Sequence, residues 1–164
     1  MVMPYVDLHV HSYFSDGSMS PKEIVDSAVA NDVGILAIAD HNVIEGSLLL
    51  REHCLINNIK YIPAVEIDVL HKGELQHIIA YGFDVDNKAF HEYIKHTRFL
   101  MDELSVKLVD LMQYDYPNIS IEDFFDFEYD RRLGGWKALH YFIEKGITSS
   151  LYEGMPLYSN YGVT

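Results

Sequence analysis

The segment Asp7-Leu-His-Val-His-Ser12, with Ser15-Asp16-Gly17 close behind it, is a histidine motif that follows a short apolar lead-in. The lead-in Tyr5-Val6 predicts a β-strand, and the two-residue alternation of a strand places His9 and His11 on the same face. Two imidazoles at this spacing can bind one metal ion, each through one ring nitrogen. The pattern alone also fits a pair of surface histidines, so its interpretation depends on the motifs further along the chain.

The composition indicates one acidic, globular domain. The 164 residues are 49% hydrophobic, and 25 acidic side chains against 12 basic ones give a formal net charge of −13. A chain of this length can bury a core of its own. Its charge repels polyanions and so excludes a long nucleic acid as partner, but it allows a short phosphorylated substrate that metal ions hold.

Cysteine content and hydropathy predict a cytoplasmic protein. Cys54 is the single cysteine, which excludes an internal disulfide and fits a reducing compartment. The amino terminus lacks a basic segment followed by an apolar one, and no apolar run is long enough to span a bilayer. We therefore expect no membrane partner.

Predicted strands and helices alternate along the first half of the chain. Ser20-Pro21-Lys22-Glu23 is a capping box with proline at the first helical position, which predicts a helix over 21–32 that ends before Gly34. The residues predicted to face the core from this helix are Ile24, Ala28 and Val29. The elements predicted next are a buried parallel strand, a second helix, a further strand and a hairpin around Gly73, over 35–39, 45–56, 61–67 and 69–83. This order is typical of an α/β fold.

The second half of the chain is predicted to be helical. Apolar residues at three-, four- and seven-residue steps predict a long helix over 87–113. Its core-facing residues are Phe90, Ile94, Met101, Leu104, Leu108 and Leu111. Ser120 can cap a short helix, and a further helix is predicted over 136–145 before Gly146. The tail over 152–164 has no clear period and predicts no element.

Imidazole and carboxylate side chains recur where the predicted parallel strands end. His9 and His11 follow the first strand, Asp40 and His41 follow the second, and Glu66 lies near the end of the third. The further candidates are His77, in the returning strand of the hairpin, and Asp16, on the loop behind the first strand. Because the carboxyl ends of parallel strands form one rim where loops converge, we expect these side chains to meet.

The ligand types narrow the metal and the chemistry. Nitrogen and carboxylate ligands without thiolate suit zinc, manganese or iron rather than a structural zinc finger or a calcium cage. Several carboxylates that can bridge predict more than one ion. Close cations can bind phosphate oxygens, generate a hydroxide nucleophile near neutral pH and stabilise the leaving oxygen, which predicts a metal-dependent phosphoesterase.

Four short motifs with histidine or carboxylate residues follow one another along the chain. They are Asp7-Leu-His-Val-His-Ser12 with Phe14-Ser-Asp-Gly17, Ala39-Asp-His-Asn42, Pro63-Ala-Val-Glu-Ile67, and His77 within 76–84. In this order and spacing the chain resembles the polymerase-and-histidinol-phosphatase (PHP) family. The resemblance implies a distorted seven-stranded β/α barrel, of which residues 1–86 would be the amino-terminal part. Residues 87–164 look like the family's inserted helical layer, within one domain.

The resemblance also implies up to three divalent metal ions. The implied ligand sets are His9, His11 and Glu66 for one ion, Glu66 and His77 for the second, and Asp16 and His41 for the third. Asp40 would orient its neighbour or the bound water, so Asp16, Asp40 and His41 are the candidate catalytic residues. Each of these residues also has a structural interpretation when it is considered alone. His41 and His77 could be hydrogen-bonded histidines of the core, and Glu66 could be a buried salt-bridge partner.

The carboxyl-terminal part of the chain departs from the family's pattern. The family's site is completed by a later histidine in an Ala-His-Pro-like strand end and by a terminal Asp-x-His pair, and neither occurs here. An open barrel would expose strand edges and apolar surface, which predicts association into a homo-oligomer. The same departure keeps a catalytically incomplete PHP-like binding or interaction module as an alternative.

The predicted function is hydrolysis of a phosphomonoester, on a nucleotide or a short oligonucleotide, by a metal-bound hydroxide. Within the family the chain looks most like the stand-alone bacterial phosphoesterases, and histidinol-phosphate phosphatase is the alternative enzyme. Arg131 and Arg132 could reach a substrate phosphate from the helical layer, because a guanidinium fits phosphate. An ordinary surface ion pair with the adjacent carboxylates is the other interpretation of these arginines.

Overall fold

The computed structural model describes residues 4–163, in which two small sheets are followed by a helical layer. The first sheet is parallel, in the order β1, β2, β3, with bounds Tyr5–Val10, Val33–Ile38 and Lys60–Tyr61. Its two connecting helices are α1, Pro21–Ala30, and α2, Glu45–Ile56. The second sheet is an antiparallel hairpin of β4, Ala64–His71, and β5, Glu74–Tyr81. The predicted α/β class is confirmed.

The capping box of α1 forms as predicted. Ser20 accepts a hydrogen bond from the Glu23 amide, and the Glu23 carboxylate accepts one from the Ser20 amide. The helix ends earlier than predicted, because Asp32 turns the chain with φ at +55°. Gly34 does not end the helix but lies within β2, where a Cβ would meet Pro4 at 2.5 Å.

The first core fills the space between the parallel sheet and its two helices. Its buried residues are Ile24, Val25, Ala28, Leu36, Ile38, Leu50, Cys54 and Ile59. Val29, predicted to face this core, is 50% exposed, and Val25 is buried instead. Val25 and Val29 are four residues apart and share a helix face, so α1 packs with the predicted face, but the buried part of that face ends at Ala28.

Pro63 divides the strand that was predicted over 61–67. Proline has no amide hydrogen for a sheet ladder, and β3 stops at Tyr61 while β4 begins at Ala64. The chain then turns across the end of β2, where the Glu66 amide donates to the Asp40 carbonyl and the Asn42 amide donates to the Glu66 carbonyl. These two bonds place the start of the hairpin directly beside the residues that follow β2.

The predicted hairpin turn is confirmed. Lys72 and Gly73 both have positive φ, at +53° and +83°, which is the backbone of a two-residue type I′ turn. The turn sets a register in which Asp68 lies opposite His77. His77 is thereby returned to the level of Glu66 and Asp68.

The helical layer consists of four helices around a second core. They are α3, Lys88–Met112; α4, Ile121–Asp126; α5, Lys137–Glu144; and α6, Leu151–Asn160. The predicted bounds of α3 and α5 and the Ser120 cap of α4 are confirmed. Tyr141 and Phe142 are fully buried between these helices with Leu108 and Met112.

Helix α6 corrects the prediction that the tail forms no element. Ser150 caps it by accepting from the Glu153 amide, a pattern that was present in the sequence. Gly154 and Pro156 are poor helix formers and obscured the period. Gly154 is where α6 approaches α5, since a Cβ there would meet Leu139 at 2.7 Å.

Residues 4–163 do not form the seven-stranded barrel implied by the resemblance. The described residues contain five strands, and β1 has a strand neighbour on one side only. Tyr5 and Val6 on this edge are exposed, as expected for an open sheet. Association through such an edge stays a prediction. No helix among these residues combines the length and the apolar character needed to cross a membrane.

Candidate metal centre

The carboxylate of Glu66 is surrounded by the imidazoles of four histidines. Its Oε2 lies 2.9 Å from His9 Nε2, 3.2 Å from His11 Nε2 and 3.7 Å from His41 Nε2, and its Oε1 lies 3.2 Å from His77 Nδ1. Glu66 itself is 5% exposed. A neutral imidazole has one nitrogen with a free lone pair, which can bind a metal ion. Four such rings around one carboxylate therefore provide ligands for divalent cations.

Each of these side chains reaches the cluster from the end or face of a strand. His9 and His11 alternate along the end of β1, and His41 follows β2 directly. Glu66 comes from β4, and a bridge to His41 places the two residues side by side. His77 crosses from β5. The cluster therefore lies where the carboxyl end of the parallel sheet meets the hairpin.

Asp16 joins the cluster from the loop behind β1. Its Oδ1 lies 2.8 Å from His11 Nδ1, and its Oδ2 lies 4.0 Å from His41 Nε2. Burial alone would raise the pKa of Asp16, but the hydrogen bond with His11 and the nearby imidazoles outweigh burial and lower the pKa to about 2. Asp16 is thus an anion at neutral pH, as a metal ligand must be.

The six predicted ligands form three overlapping groups. Within each group one ligand atom per residue lies within 4.8 Å of the others, and the groups are His9, His11 and Glu66; His11, Asp16 and His41; and His41, Glu66 and His77. His11, His41 and Glu66 each belong to two groups. The structure thus brings together all six residues, while their binding of metal stays a prediction.

Asp68 is a residue of this centre that the sequence interpretation missed. Its side chain is 3% exposed, and its Oδ1 lies 2.9 Å from His41 Nδ1 and 2.9 Å from His77 Nδ1. Its Oδ2 accepts a hydrogen bond of 2.6 Å from the side-chain amide of Asn42. Burial would raise the pKa of Asp68, but the hydrogen bond with His41 and the imidazole charges outweigh it and lower the pKa.

The contact with Asp68 sets which nitrogen of His41 faces the cluster. Because Nδ1 of His41 points to Asp68, Nε2 is directed toward Asp16 and Glu66. Carboxylates that hold the second nitrogen of a histidine ligand orient the ring and raise its basicity. The sequence signal was the two-residue step from Glu66 to Asp68, which places both on one face of β4.

We expect Asp68→Asn to lower metal affinity about 10-fold to 100-fold, because the amide lacks the negative charge beside His41 and His77 and would place its NH2 group against the Asn42 side-chain amide that now donates to Oδ2. Competition titrations with a chelator, for zinc and manganese in turn, measure this loss. Asp126→Asn, an exposed residue of α4, is the matched control and is expected to leave affinity unchanged. Equal affinities in the two variants would show that Asp68 does not support the ligands.

Asp40 has different partners from those expected. Its fully buried carboxylate accepts from the Ser12 amide at 2.6 Å, the Ser12 hydroxyl at 2.6 Å and the Ser15 hydroxyl at 2.7 Å. These contacts anchor the loop that carries Asp16, and none of them is with His41, which Asp40 was predicted to orient; its predicted role toward a bound water stays a prediction. Burial raises the pKa of Asp40 despite these hydrogen bonds. The residue acts on the centre through the loop.

Arg132 does not point to the cluster. Its guanidinium makes two hydrogen bonds to Glu23 of α1, of 2.6 Å and 3.2 Å. The surface ion pair is therefore present for Arg132, although its partner is Glu23 rather than an adjacent carboxylate. Arg131 is exposed in the neighbouring 3₁₀ turn. Neither arginine contacts the six candidate ligands in the structure.

A short segment of the helical layer borders the cluster. The Gly135 amide donates to the Asp16 carbonyl at 2.8 Å, and a Cβ on Gly134 would lie 2.8 Å from the same oxygen. The next residue, Trp136, packs edge-on against the His41 ring, with 5.5 Å between ring centroids. The glycines thus permit the close approach that brings an indole to the edge of the metal centre.

Comparison with known proteins identifies related families and folds. The PHP domain family model matches residues 7–148. The 5′-3′ exoribonuclease of Haemophilus influenzae is 32% identical over 107 residues, which are 65% of this chain and 39% of that protein. The 3′,5′-nucleoside bisphosphate phosphatase of Chromobacterium violaceum is 31% identical over 96 residues, which are 58% of this chain and 34% of that protein. The aligned region thus spans less than half the length of each relative.

Two solved structures share the fold. One, of an amidohydrolase from Chromobacterium violaceum with bound sulfate, has a TM-score of 0.72 and 21% identity, over 90% of this chain and 52% of the other. The second, of a candidate metal-dependent phosphoesterase from Bifidobacterium adolescentis, has the same TM-score and identity, over 98% of this chain and 56% of the other. At this identity the likeness shows the fold alone.

Proposed function

This chain belongs to the PHP domain family, and from that membership together with the Glu66 cluster we propose that it hydrolyses phosphomonoesters with the help of divalent metal ions. The relatives support this class of reaction, since one is named as an exoribonuclease and another as a nucleoside bisphosphate phosphatase. The proposed substrates are accordingly small: a nucleotide phosphate or the phosphorylated end of a short RNA. The net charge of −13 disfavours a long nucleic acid.

The observation that carries the proposal is the arrangement around Glu66. Four imidazoles converge on a buried carboxylate, and in the three overlapping groups the candidate ligand atoms lie within 4.8 Å of one another. Nitrogen and oxygen donors without thiolate fit zinc, manganese or iron. Because Glu66 belongs to two of the groups, it would be a ligand in both if metal ions bind there.

The candidate ligands and their neighbours have different roles in the proposed site. His9, His11 and His77 present ring nitrogens, and Asp16 supplies a carboxylate that its neighbours keep ionised. Asp68 holds the His41 ring with Nε2 toward the cluster. When bound, divalent ions neutralise phosphate charge and lower the pKa of a water molecule that can attack phosphorus. Trp136 packs edge-on against His41 at one side of the centre.

A cytoplasmic location is part of the proposal. Cys54 is buried and unpaired, and burial raises the pKa of its thiol to about 11. A free thiol of this kind is compatible with a reducing compartment.

A panel of phosphomonoesters tests the proposed activity. The panel contains adenosine 3′,5′-bisphosphate, adenosine 5′-monophosphate, histidinol phosphate and a 5′-phosphorylated short RNA, each with zinc, manganese or iron(II) supplied. We expect release of inorganic phosphate that depends on added metal and is lost in His77→Ala. The control His53→Ala, at a partly exposed position of α2, should retain it, since His53 lies outside the six candidate ligands.

The outcomes of this assay separate the alternatives. A clear preference for histidinol phosphate would replace the proposed nucleotide class with the alternative enzyme. Inactivity on the whole panel, with metal bound, would contradict the proposal and support a catalytically incomplete binding module. Activity that survives in His77→Ala would show that phosphate release does not come from this centre.

A further inference from the structure

Two consecutive glycines form the turn that leads into α5. Gly134 has φ of +68° and ψ of −177°, a backbone region essentially restricted to glycine, and Gly135 has φ of +73°. Many other conformations are open to such a turn, because neither residue has a Cβ. The conformation of this glycine turn is therefore set by the contacts that neighbouring residues make with it.

Both carbonyls of the glycine turn accept hydrogen bonds from side chains. The Gly134 carbonyl lies 2.7 Å from His140 Nε2, and the Gly135 carbonyl accepts from the Tyr129 hydroxyl at 3.0 Å. Because a carbonyl only accepts, Nε2 of His140 is the nitrogen that carries the proton in this contact. Burial raises the pKa of Tyr129, so its hydroxyl is protonated at neutral pH and donates.

The two donors also stack on each other. The ring centroids of Tyr129 and His140 are 4.4 Å apart, and the ring planes are inclined by 19°. His140 belongs to α5, whose neighbouring residues Tyr141 and Phe142 are fully buried in the core of the helical layer. The stacked pair therefore fixes the glycine turn relative to a packed helix.

The glycine turn in its place contacts two candidate metal ligands. The Gly135 amide donates to the Asp16 carbonyl at 2.8 Å. The residue after the turn, Trp136, packs edge-on against the His41 ring at 5.5 Å between centroids. Asp16 and His41 belong to one ligand group, together with His11. A displaced turn would therefore remove support from two members of the same group.

We propose that His140 is a positioning residue of the metal centre. Together with Tyr129, it keeps the glycine turn in the one conformation that supports Asp16 and places the indole beside His41. The His140 ring contacts the turn and Tyr129, so its effect reaches the ligands through the backbone of the turn. This inference rests on the proposed function, because it takes Asp16 and His41 to bind metal.

Metal affinity of His140 variants tests the proposal without turnover. Competition titrations with a chelator, for zinc and manganese in turn, are made on the metal-free chain. His140→Leu removes the donor, and we expect the affinity for at least one ion per chain to fall about threefold to tenfold, the size of one lost hydrogen bond. His140→Gln brings an amide nitrogen to the same carbonyl, so its affinity should stay within about twofold of the wild type. His96→Leu, at an exposed position of α3, is the control and should bind metal as the wild type does.

Tryptophan fluorescence shows whether the loss of affinity acts through the turn. The sequence contains one tryptophan, so the emission reports on Trp136 alone. In the metal-free chain, His140→Leu should shift the emission maximum to longer wavelength and increase quenching by acrylamide, because a released turn lets the indole leave His41 for solvent. His140→Gln and His96→Leu should leave both signals unchanged.

Tyr129→Phe tests the same turn by a smaller change. It removes the hydroxyl that donates to the Gly135 carbonyl and keeps the ring that stacks on His140. We expect metal affinity to fall about twofold to fivefold, with an emission shift in the same direction. Because the ring stays in place, this variant decides the question if His140→Leu does not fold.

Three results would overturn the inference. They are equal metal affinity in folded His140→Leu and His96→Leu, equal loss of affinity in His140→Gln and His140→Leu, and a loss of affinity without any change in Trp136 emission. Failure of the inference is distinguishable from failure of the proposed function. Phosphate release with a metal affinity that does not depend on His140 contradicts the inference alone. Dependence of the affinity on His140 without hydrolysis of any substrate contradicts only the proposed activity.

Discussion

Replacing Glu66 with glutamine is expected to remove at least one metal ion per chain and to reduce phosphate release by about 100-fold or more. Glutamine has nearly the same shape, but it lacks the negative charge and has only one acceptor oxygen in place of two. Oε2 of Glu66 lies beside His9 and His11, and Oε1 lies beside His77, so the amide cannot serve both sides. Because Glu66 belongs to two of the three ligand groups, its replacement should weaken metal binding in both.

Elemental analysis of the purified variant and a phosphate-release assay measure this effect. Glu74→Gln makes the same change at an exposed position of β5 and is the control. It should match the wild type in metal content and rate. If Glu66→Gln also matched the wild type in both measurements, Glu66 would be a buried hydrogen-bond partner and not a ligand.

Asp40→Ala is expected to lower the free energy of unfolding by about 2 kcal/mol. The change leaves the Ser12 amide and the Ser12 hydroxyl without their acceptor, and it leaves the Ser15 hydroxyl with only its longer hydrogen bond to Asp16 Oδ1 at 3.1 Å. It also leaves a gap beside Gly46, whose Cα faces the Asp40 carboxylate so closely that a Cβ would clash with it. Burial raises the pKa of Asp40, so relief of this buried charge offsets part of the loss.

Urea unfolding in the absence of metal measures the stability change directly. Asp126→Ala is the control, because Asp126 is exposed at the end of α4. Metal affinity should fall in Asp40→Ala as well, since the anchored loop carries Asp16. A stability within about 0.5 kcal/mol of the wild type, the usual range for surface substitutions, would show that the loop does not depend on Asp40.

The candidate ligands were predictable because short motifs determine local geometry. Alternation along a strand brings His9 and His11 to one face, and the ends of parallel strands meet at one rim, which brings His41 to them. Helix starts were predictable for a similar reason. Ser20 and Ser120 each form a side-chain hydrogen bond to an amide three residues ahead.

The residues that were missed depend on contacts between distant segments. Asp68 acquires its role from His41, which lies 27 residues earlier; the two-residue step from Glu66 to Asp68 indicates a shared face of β4 but not the contact with His41. The partner of Arg132 lies in α1, 109 residues away, so the local charge pattern around Arg132 suggested the wrong carboxylates.

An open arrangement of strands was expected, because the family's carboxyl-terminal motifs do not occur in the sequence, but its division into two sheets could not be obtained from the motifs. The family resemblance implied a seven-stranded barrel, and the periodicity of the chain matched its first strands. Pairing of strand edges is a non-local property, and residues 4–163 pair into a three-stranded sheet and a hairpin. The metal centre nonetheless assembles, because its six candidate ligands all come from these two sheets and the loops that follow β1 and β2.

The number of divalent metal ions per chain, measured by elemental analysis on protein purified without chelator, tests the metal centre most directly. The three overlapping ligand groups predict two or three ions per chain, with zinc, manganese or iron as the metal. One ion or none would contradict a bridged centre at Glu66, and the phosphoesterase proposal for this chain would fall with it.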